Sequence, residues 1–337
     1  MMNEGTGSTY IPYLDGWRGL AIASLLLGHF FPVGGLNFGL VGVHLFFVLS
    51  GLLMTRILFM QRVPLALFYK RRIARIFPSV YVYLLVVTTV FALSGREIGM
   101  LELLGAATFT NNYVTPDGPW TMPFGHIWSL SVEEHAYIAL SIMAVATRAS
   151  ERRSIRAVGL ATGAMAFVAC VYAVVFSGAS DAGVWSHSEV AAFGIFASSL
   201  QFLYGARRAG SALHPLFIIA MVAVGIAAHW WTAPAPVRLL VGCGAFALAL
   251  NSLHRAPGML HRLLEWAPLR RIGAWSFSLY LWQQPFYQLV RHDGMHPALG
   301  LALSLLTGIL AFHCVEQPGR AWLNRVWSQP PGVRRPA

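Results

Sequence analysis

The chain has 337 residues, of which 56% are hydrophobic and only 11% are charged, and its mean hydropathy is +0.59. Because ordinary soluble proteins carry charge on about 25% of their residues, this composition excludes a cytosolic globular enzyme and a disordered chain and predicts an integral membrane protein. The net charge of +11 comes from basic residues spread between apolar runs, which excludes a nucleic-acid-binding patch.

The apolar runs predict an all-α fold, a polytopic bundle of about ten transmembrane helices, since one helix needs about 20 mostly apolar residues to cross the hydrocarbon core. A further run at 98–113 is short and contains Glu102, so we expect it to belong to an outer loop. The predicted spans are 16–35, 39–60, 77–95, 127–147, 155–177, 189–206, 214–231, 237–254, 273–291 and 297–315.

The basic residues predict the orientation of the bundle, because cytoplasmic loops carry an excess of Lys and Arg. With ten spans and both termini cytoplasmic, 21 of the 24 basic residues lie on the cytoplasmic side, whereas only 9 do if 98–113 also spans. We therefore predict a multi-pass protein of the cell (inner or plasma) membrane. It would have a cytoplasmic tail 1–15, a transmembrane domain 16–315 and a cytoplasmic tail 316–337.

The three cysteines, Cys170, Cys243 and Cys314, all fall within apolar runs. This placement predicts buried thiols, with no disulfide framework and no spacing typical of metal ligands.

The first apolar run, LDGWRGLAIASLLLGHFF, contains Arg18 and His29. Eleven residues bring the two side chains to within about 20° of the same helix face and separate them by roughly 16 Å along the axis. Ionisable groups inside a bilayer are costly and usually functional. A catalytic imidazole and a histidine that only packs or forms hydrogen bonds are both compatible with this pattern.

The second run, GVHLFFVLSG, contains His44 and the pair Ser50-Gly51. The rise per residue predicts that His44 lies at nearly the depth of His29. The small residues Ser50 and Gly51 either let two helices approach closely or take part directly in a functional site.

A basic run, Lys70-Arg71-Arg72-Ile73-Ala74-Arg75, precedes the third span. Arg72 and Arg75 are three residues apart and share a helix face. The run is either a topology anchor or a clamp for phosphate groups, which guanidinium groups bind bidentately.

The fourth run, HIWSLSVEEHAYI, carries Glu133 and Glu134 in an otherwise apolar segment. Adjacent helical residues differ by about 100°, so the two carboxylates cannot face one site. We expect Glu133 to lie near the depth of His29. The outer aromatic-rich loop from Trp120 to Trp128 either forms a platform for an acceptor or belongs to the interfacial aromatic belt.

These four motifs, with WSFSLYLWQQPF at 275–286, resemble the membrane acyltransferase 3 family across essentially the whole chain. The resemblance implies a bundle of about ten helices with cytoplasmic termini. It also implies transfer of an acyl group, commonly acetyl, from cytoplasmic acyl-CoA to a hydroxyl of a sugar or lipid-linked glycan. The chain is similar to the stand-alone kind, which lacks an esterase-like domain.

The same resemblance implies roles for individual residues. His29 would act as general base or acyl relay, with Glu133 orienting its ring. His44 and Gln283 depart from the family pattern, which commonly has an acidic residue and a histidine at these places. From the resemblance and the residue patterns together, the expected sets are catalytic His29, Glu133 and Arg18, donor-binding Arg72, Arg75 and Arg71, and substrate-binding Ser50, His44, Glu134, Trp120 and Trp128.

We therefore expect acyl-CoA, and acetyl-CoA in particular, as the donor substrate, with no permanently bound cofactor and no metal. The expected partners are a carbohydrate or lipid-linked glycan acceptor and membrane lipid, without nucleic acid. The alternative is a transporter or flippase that performs no covalent chemistry, which would also carry polar residues at mid-membrane. The sequence shows no internal symmetry of the kind common in transporters.

Overall fold

The computed structural model describes residues 10–114, 123–176, 179–205 and 213–328. Within these ranges the backbone forms helices and no β-strand, and one isolated bridge joins Leu36 to Trp230. The predicted all-α fold class is therefore confirmed.

Fifteen α-helices follow one another in the described ranges. In chain order they are α1 (Pro12–Phe30), α2 (Phe38–Thr55), α3 (Leu65–Leu93), α4 (Met100–Ala107), α5 (Asn111–Val114), α6 (Trp128–Ala146), α7 (Glu151–Val175), α8 (Ser188–Ala191), α9 (Phe193–Gly205), α10 (Pro215–Ala227), α11 (Gly244–Ser252), α12 (Gly258–Leu264), α13 (Ala267–His292), α14 (Pro297–Ala311) and α15 (Gln317–Ser328).

Five helical stretches in the described ranges are long and apolar enough to cross a membrane. Three of them contain a π-helical segment that joins or extends an α-helix: Arg56–Met60, Val237–Cys243 and Phe312–Glu316. The five stretches are Phe38–Met60, Leu65–Leu93, Glu151–Val175, Val237–Arg255 and Pro297–Trp327.

The run at 98–113 forms the two short helices α4 and α5 instead of one span. Helix α4 has 8 residues, and at about 1.5 Å per residue it covers less than half of a hydrocarbon core of about 30 Å.

Helix α1 begins and ends earlier than the predicted span 16–35, which is wrong at both edges. Pro12 starts the helix, because proline suits the first helical position, where no N–H donor is needed. The helix ends at Phe30, since Pro32 disfavours helical backbone at the residue before it. At the other end of the chain, helical backbone continues through residue 316, where we predicted the C-terminal tail to begin, and reaches Ser328.

Helix α1 lies between α2 and α13 at very short range, and glycines make this possible. A Cβ atom on Gly28 would lie 2.1 Å from the backbone nitrogen of Gly39 in α2. A Cβ atom on Gly273 in α13 would lie 1.9 Å from the carbonyl oxygen of Asp15. Small residues at such crossings let backbones touch, and here they fix α1, with its Arg18 and His29, between two neighbours.

The prediction that all three cysteines are buried is wrong. Cys243 is buried, but Cys170 and Cys314 are exposed on the surface of the protein, and all three are free. An apolar run marks a helix that faces lipid as readily as one that faces protein, so the run alone does not place a thiol inside.

Candidate active site

A cleft opens between α1, α2, α3, α6 and α13, and it is lined by five of the eleven predicted site residues. Its empty volume, including the open mouth, is about 780 Å³. The polar side chains that line it are Arg18, Ser50, Arg72, Arg75, Ser129, Glu133, Tyr137, Ser276 and Tyr280.

Arg72 is already engaged by protein groups. Its Nε donates to both carboxylate oxygens of Glu134, at 2.8 and 3.1 Å, and its Nη2 lies 2.8 Å from Glu134 Oε1. The guanidinium also stacks over the ring of Tyr137, 3.5 Å from the ring centroid. An arginine that is ion-paired and stacked in this way ties two helices together, so Arg72 joins α3 to α6.

Glu133 faces the cleft but does not contact His29. Its Oε1 accepts a hydrogen bond of 2.7 Å from Ser50 Oγ, and its Oε2 lies 3.6 Å from Arg72 Nη2. Ser50 thus has a polar role in addition to the close approach of helices at Gly51. The expectation that Glu133 orients the His29 ring finds no contact to support it.

Arg75 and Arg18 line the same cleft and are the more available cations. Arg18 forms an ion pair of 2.6 Å with Asp15 one turn earlier. Arg75 lies in the electrostatic field of Arg18, Glu316 and Arg72, and among the described residues it forms no ion pair within 4 Å. Arg71 is exposed and does not line the cleft.

The ring of His29 is held by α13. Its Nδ1 lies 2.8 Å from Gln283 Oε1, and the ring stacks on Tyr287 with centroids 4.2 Å apart. Gln283 Nε2 donates to Gln284 Oε1 at 3.3 Å, which orients the amide so that its oxygen faces the histidine. Because an amide oxygen only accepts, Nδ1 carries the proton and Nε2 keeps its lone pair.

Space beside Nε2 depends on a glycine. A Cβ atom on Gly39 would lie 3.2 Å from His29 Nε2 and 3.1 Å from Cδ2. The basic nitrogen of His29 therefore faces the start of α2 beside Gly39, and the Oδ1 atom of Asn37 lies 3.5 Å from the same Cβ position.

His29 does not line the cleft, and a layer of polar and aromatic groups lies between them. At the inner end of the cleft, the hydroxyl of Tyr280 donates to the carbonyl oxygen of His126 and accepts a hydrogen bond of 2.6 Å from Ser129 Oγ. The buried His126 ring packs against Tyr83 and Tyr280 and is close enough to His29 for the imidazoles to interact electrostatically. Within the described residues, neither ring nitrogen of His126 has a partner at the distance and angle of a hydrogen bond.

His44 points away from this site. Its Nδ1 lies 2.7 Å from His229 Nε2, and His229 Nδ1 lies 2.7 Å from the carbonyl oxygen of Gly225. The carbonyl requires a proton on His229 Nδ1, so His44 donates to His229. This buried pair connects α2 to the residues that follow α10.

Of the two tryptophans, Trp128 begins α6 and packs edge to face on Phe47, with centroids 5.9 Å apart. Trp120 lies outside the described residues.

Sequence reasoning missed His126, His229, Tyr137 and Tyr280 as parts of the polar interior. Two of the quoted motifs contain His126, Tyr137 and Tyr280, so the signal was present without a role attached. His229 follows an apolar run and offers no pattern of its own, and only the fold brings it to His44.

Comparison with known proteins gives the family of the chain. The family model described as an acyltransferase domain matches residues 11–315. The chain belongs to the acyltransferase 3 family of membrane acyltransferases. No solved structure matches the chain.

The curated relatives carry names of the same kind. The chain is 25% identical to "Putative peptidoglycan O-acetyltransferase YrhL" of Bacillus subtilis, over 95% of this chain and 56% of the relative. It is 33% identical to "Putative O-acetyltransferase SACOL0978" of Staphylococcus aureus, over 43% of this chain and 27% of the relative. It is 26% identical to "Putative membrane-bound transacylase BcsY" of Komagataeibacter xylinus, over 93% and 83%. The chain thus spans about half the length of the Bacillus relative.

Proposed function

We propose that this protein is a membrane O-acyltransferase that moves an acyl group, acetyl in particular, from cytoplasmic acyl-CoA to a hydroxyl of a glycan. Family membership supports the reaction class, and the names of the relatives support O-acetylation of a cell-surface glycan. The proposal includes the ten-span topology with both termini cytoplasmic, which follows from the distribution of basic residues.

The donor binds in the cleft, with its phosphates at Arg75 and Arg18. Both arginines line the cleft, and Arg75 is not committed to a carboxylate within 4 Å. We assign Arg72 a supporting role instead, because Glu134 and Tyr137 already occupy its guanidinium. The exposed position of Arg71 gives it no part in donor binding.

The base is Nε2 of His29, and the observation that carries this assignment is the 2.8 Å contact between Nδ1 and Gln283. Nε2 takes the proton of the acceptor hydroxyl while the oxygen attacks the thioester carbonyl carbon. The carbon–sulfur bond breaks, and the imidazolium returns the proton to the departing thiolate. In the relay alternative, Nε2 itself attacks the thioester carbonyl and the CoA thiolate leaves; the acceptor hydroxyl then attacks the acyl-imidazole, and its proton passes through the imidazole to the thiolate.

The thioester must reach Nε2 past Tyr280 and His126, which separate the cleft from His29. We therefore expect a rearrangement of this layer during the reaction cycle. Such gating steps are common in enzymes that exclude water from a reactive intermediate.

The test compares surface glycans by mass spectrometry in cells that carry the gene, lack it, or carry His29→Ala at equal protein level. The matched control is His292→Ala, since His292 is an exposed histidine on the same helix as Gln283. We expect one acyl increment that requires the gene and His29 but not His292. Loss of glycan export without any mass change, together with a harmless His29→Ala, would instead indicate a transporter.

A further inference from the structure

A second cleft lies at the end of the bundle where α2 passes into α3 and α6 passes into α7. Its empty volume, including the open mouth, is about 600 Å³, and it shares no lining residue with the candidate active site. Its lining residues come from the π-helical end of α2, the turn that leads into α3, the end of α6 with the start of α7, and Leu203 of α9.

The wall of this cleft is apolar, and its mouth carries two arginines and one exposed carboxylate, Glu151, so that the net charge at the mouth is positive. Leu58, Phe59 and Leu203 belong to the buried core and form the inner wall. Arg62 and Arg148 are exposed at the mouth. In the described part of the chain, neither guanidinium forms an ion pair with a carboxylate within 4 Å.

The backbone that carries Arg62 is specialised. The end of α2 is π-helical over Arg56–Met60, and Arg62 follows with φ of +50°, in the left-handed region that non-glycine residues rarely adopt. The turn is closed by a hydrogen bond of 3.2 Å from the N–H of Val63 to the carbonyl of Ile57. Interruptions of this kind occur frequently at functional sites, and this one directs Arg62 to the mouth of the cleft.

The location adds a third argument, which rests on the proposed topology. The distribution of basic residues assigns this end of the bundle to the cytoplasmic leaflet, where anionic lipids concentrate. A ligand that matches the cleft therefore has a phosphate for the two arginines and acyl chains for the inner wall. Soluble phosphates lack the chains, and zwitterionic lipids lack the net negative charge.

We propose that this cleft, between Arg62 and Arg148 at its mouth and Leu203 at its inner wall, is a binding site for an anionic phospholipid. The two guanidinium groups bind the lipid phosphate, and the acyl chains lie on the apolar wall. The site is independent of the proposed transfer reaction, so either can fail without the other.

The test titrates purified full-length protein in detergent with phosphatidylglycerol and follows the thermal midpoint and the number of lipids retained in native mass spectrometry. The test variant is Arg62→Asn/Arg148→Gln, in which asparagine tolerates the left-handed backbone. The matched control is Arg152→Gln/Arg153→Gln, which removes the same charge from exposed residues outside the cleft.

We expect at least a fivefold higher half-saturating concentration of phosphatidylglycerol in the test variant and no change in the control. Equal losses in both variants would overturn the proposal in favour of general electrostatic attraction. Competition by glycerol 3-phosphate or by CoA would overturn it in favour of a soluble phosphate ligand. Equal binding of phosphatidylcholine in every variant would also contradict it.

A variant that lost stability without lipid could mimic lost binding, so a single substitution, Arg148→Glu, accompanies the double one. Arg148 is exposed in the turn between α6 and α7, and reversal of its charge leaves the backbone of Arg62 untouched. Retention of phosphatidylglycerol at the wild-type level in this variant would refute a role for Arg148.

Discussion

At the scale of single residues, the partner of His29 is a neutral amide where a carboxylate would be the familiar arrangement. A carboxylate fixes the tautomer of a histidine and also stabilises the imidazolium that forms during proton transfer. Gln283 can fix the tautomer, through its contact with Nδ1, but brings no charge. This chain therefore leaves Nε2 unprotonated, as the proposed base or nucleophile must be, and the ring orientation is supplied by Gln283 and by the stack on Tyr287.

The space beside Nε2 provides a residue-scale prediction. Gly39→Ala places a methyl group 3.2 Å from Nε2 and 3.1 Å from Cδ2, so the ring must shift away from the reacting position. We expect kcat to fall roughly 10- to 100-fold, since small misplacements of a catalytic group have effects of this size, while the KM for acyl-CoA stays the same. The rate of acceptor-dependent CoA release in isolated membranes measures both.

The matched control is Gly34→Ala, because a Cβ atom on Gly34 meets nothing within 4 Å. Equal activity of the Gly39→Ala and wild-type proteins would show that Nε2 does not need this space.

Glu102 provides a prediction about pH. This side chain of α4 is 3% exposed, and its Oε2 has no hydrogen-bond partner in the described chain. Burial raises the pKa of Glu102 from 4.5 to about 7, although a hydrogen bond from the Phe124 N–H acts in the opposite direction. The folded state thus holds more protons than the unfolded state in this range, and the free energy of unfolding decreases as pH rises from about 4.5 to about 7.

Glu102→Gln should remove this decrease and leave the thermal midpoint nearly constant between pH 5 and pH 8. Scanning fluorimetry of the detergent-solubilised protein measures the effect. The control is Glu97→Gln, because Glu97 is exposed in the same loop region. A wild-type midpoint that rises across this range would contradict the assignment.

At the scale of elements, one arginine joins α3 to α6. The Nε of Arg72 donates to both carboxylate oxygens of Glu134, and its guanidinium stacks on Tyr137. Both guanidinium and carboxylate are largely removed from solvent, with side-chain exposures of 12% and 17%. Loss of one partner of such a pair leaves the other charge unpaired inside the protein, which costs more than the intact pair contributes.

We therefore expect Arg72→Gln to lower the free energy of unfolding by about 3 kcal/mol, and Arg71→Gln, on the exposed neighbouring residue, to change it by less than about 0.5 kcal/mol. Arg75→Gln should leave stability unchanged and weaken acyl-CoA binding roughly 10-fold, as expected for loss of a charge-assisted contact. Denaturation measures the effect of each substitution on stability, and titration with acyl-CoA measures its effect on donor binding. If Arg72→Gln instead reduced the affinity for acyl-CoA and left stability intact, Arg72 would belong to the donor site.

At the scale of the whole molecule, the proposed reaction needs its two substrates to reach α1 from opposite sides. Arg18 lies in the first half of α1 and lines the cleft, whereas His29 lies in its last turn. Helix α13 is divided in the same way: its residues Ser276 and Tyr280 line the cleft, and its later residue Gln283 contacts His29. A helix pair with donor groups at one end and the base at the other suits transfer across a bilayer.

Cysteine labelling tests the orientation that this division requires. In a variant without the native cysteines, Gly34→Cys follows α1 and Gly258→Cys begins α12, and both positions are exposed with nothing within 4 Å of a new Cβ. We expect a membrane-impermeant maleimide to label position 34 on intact cells and position 258 only after permeabilisation. Labelling of both positions on intact cells would contradict the ten-span topology.

The amino-acid sequence by itself determined the class of the molecule. Apolar runs long enough for helices and an excess of apolar over charged residues led to an all-α membrane protein, because these properties depend on composition and local periodicity. The motifs led to the acyltransferase 3 family and to Arg18, Ser50, Arg75 and Glu133, which do line one cleft. The sequence predicted the ends of helices less accurately, as α1 shows, because this helix ends before Pro32 and earlier than predicted.

Only the tertiary structure decided which polar groups are partners. Glu133 binds Ser50 and not His29, His44 binds His229, and Arg72 is occupied by Glu134. Gln283 is 254 residues from His29 in the chain, and no local pattern encodes a contact over that separation. Helix phase fixes the face on which a side chain lies, whereas the neighbour across that face depends on how all the helices pack, and this packing made Gln283 the partner of His29.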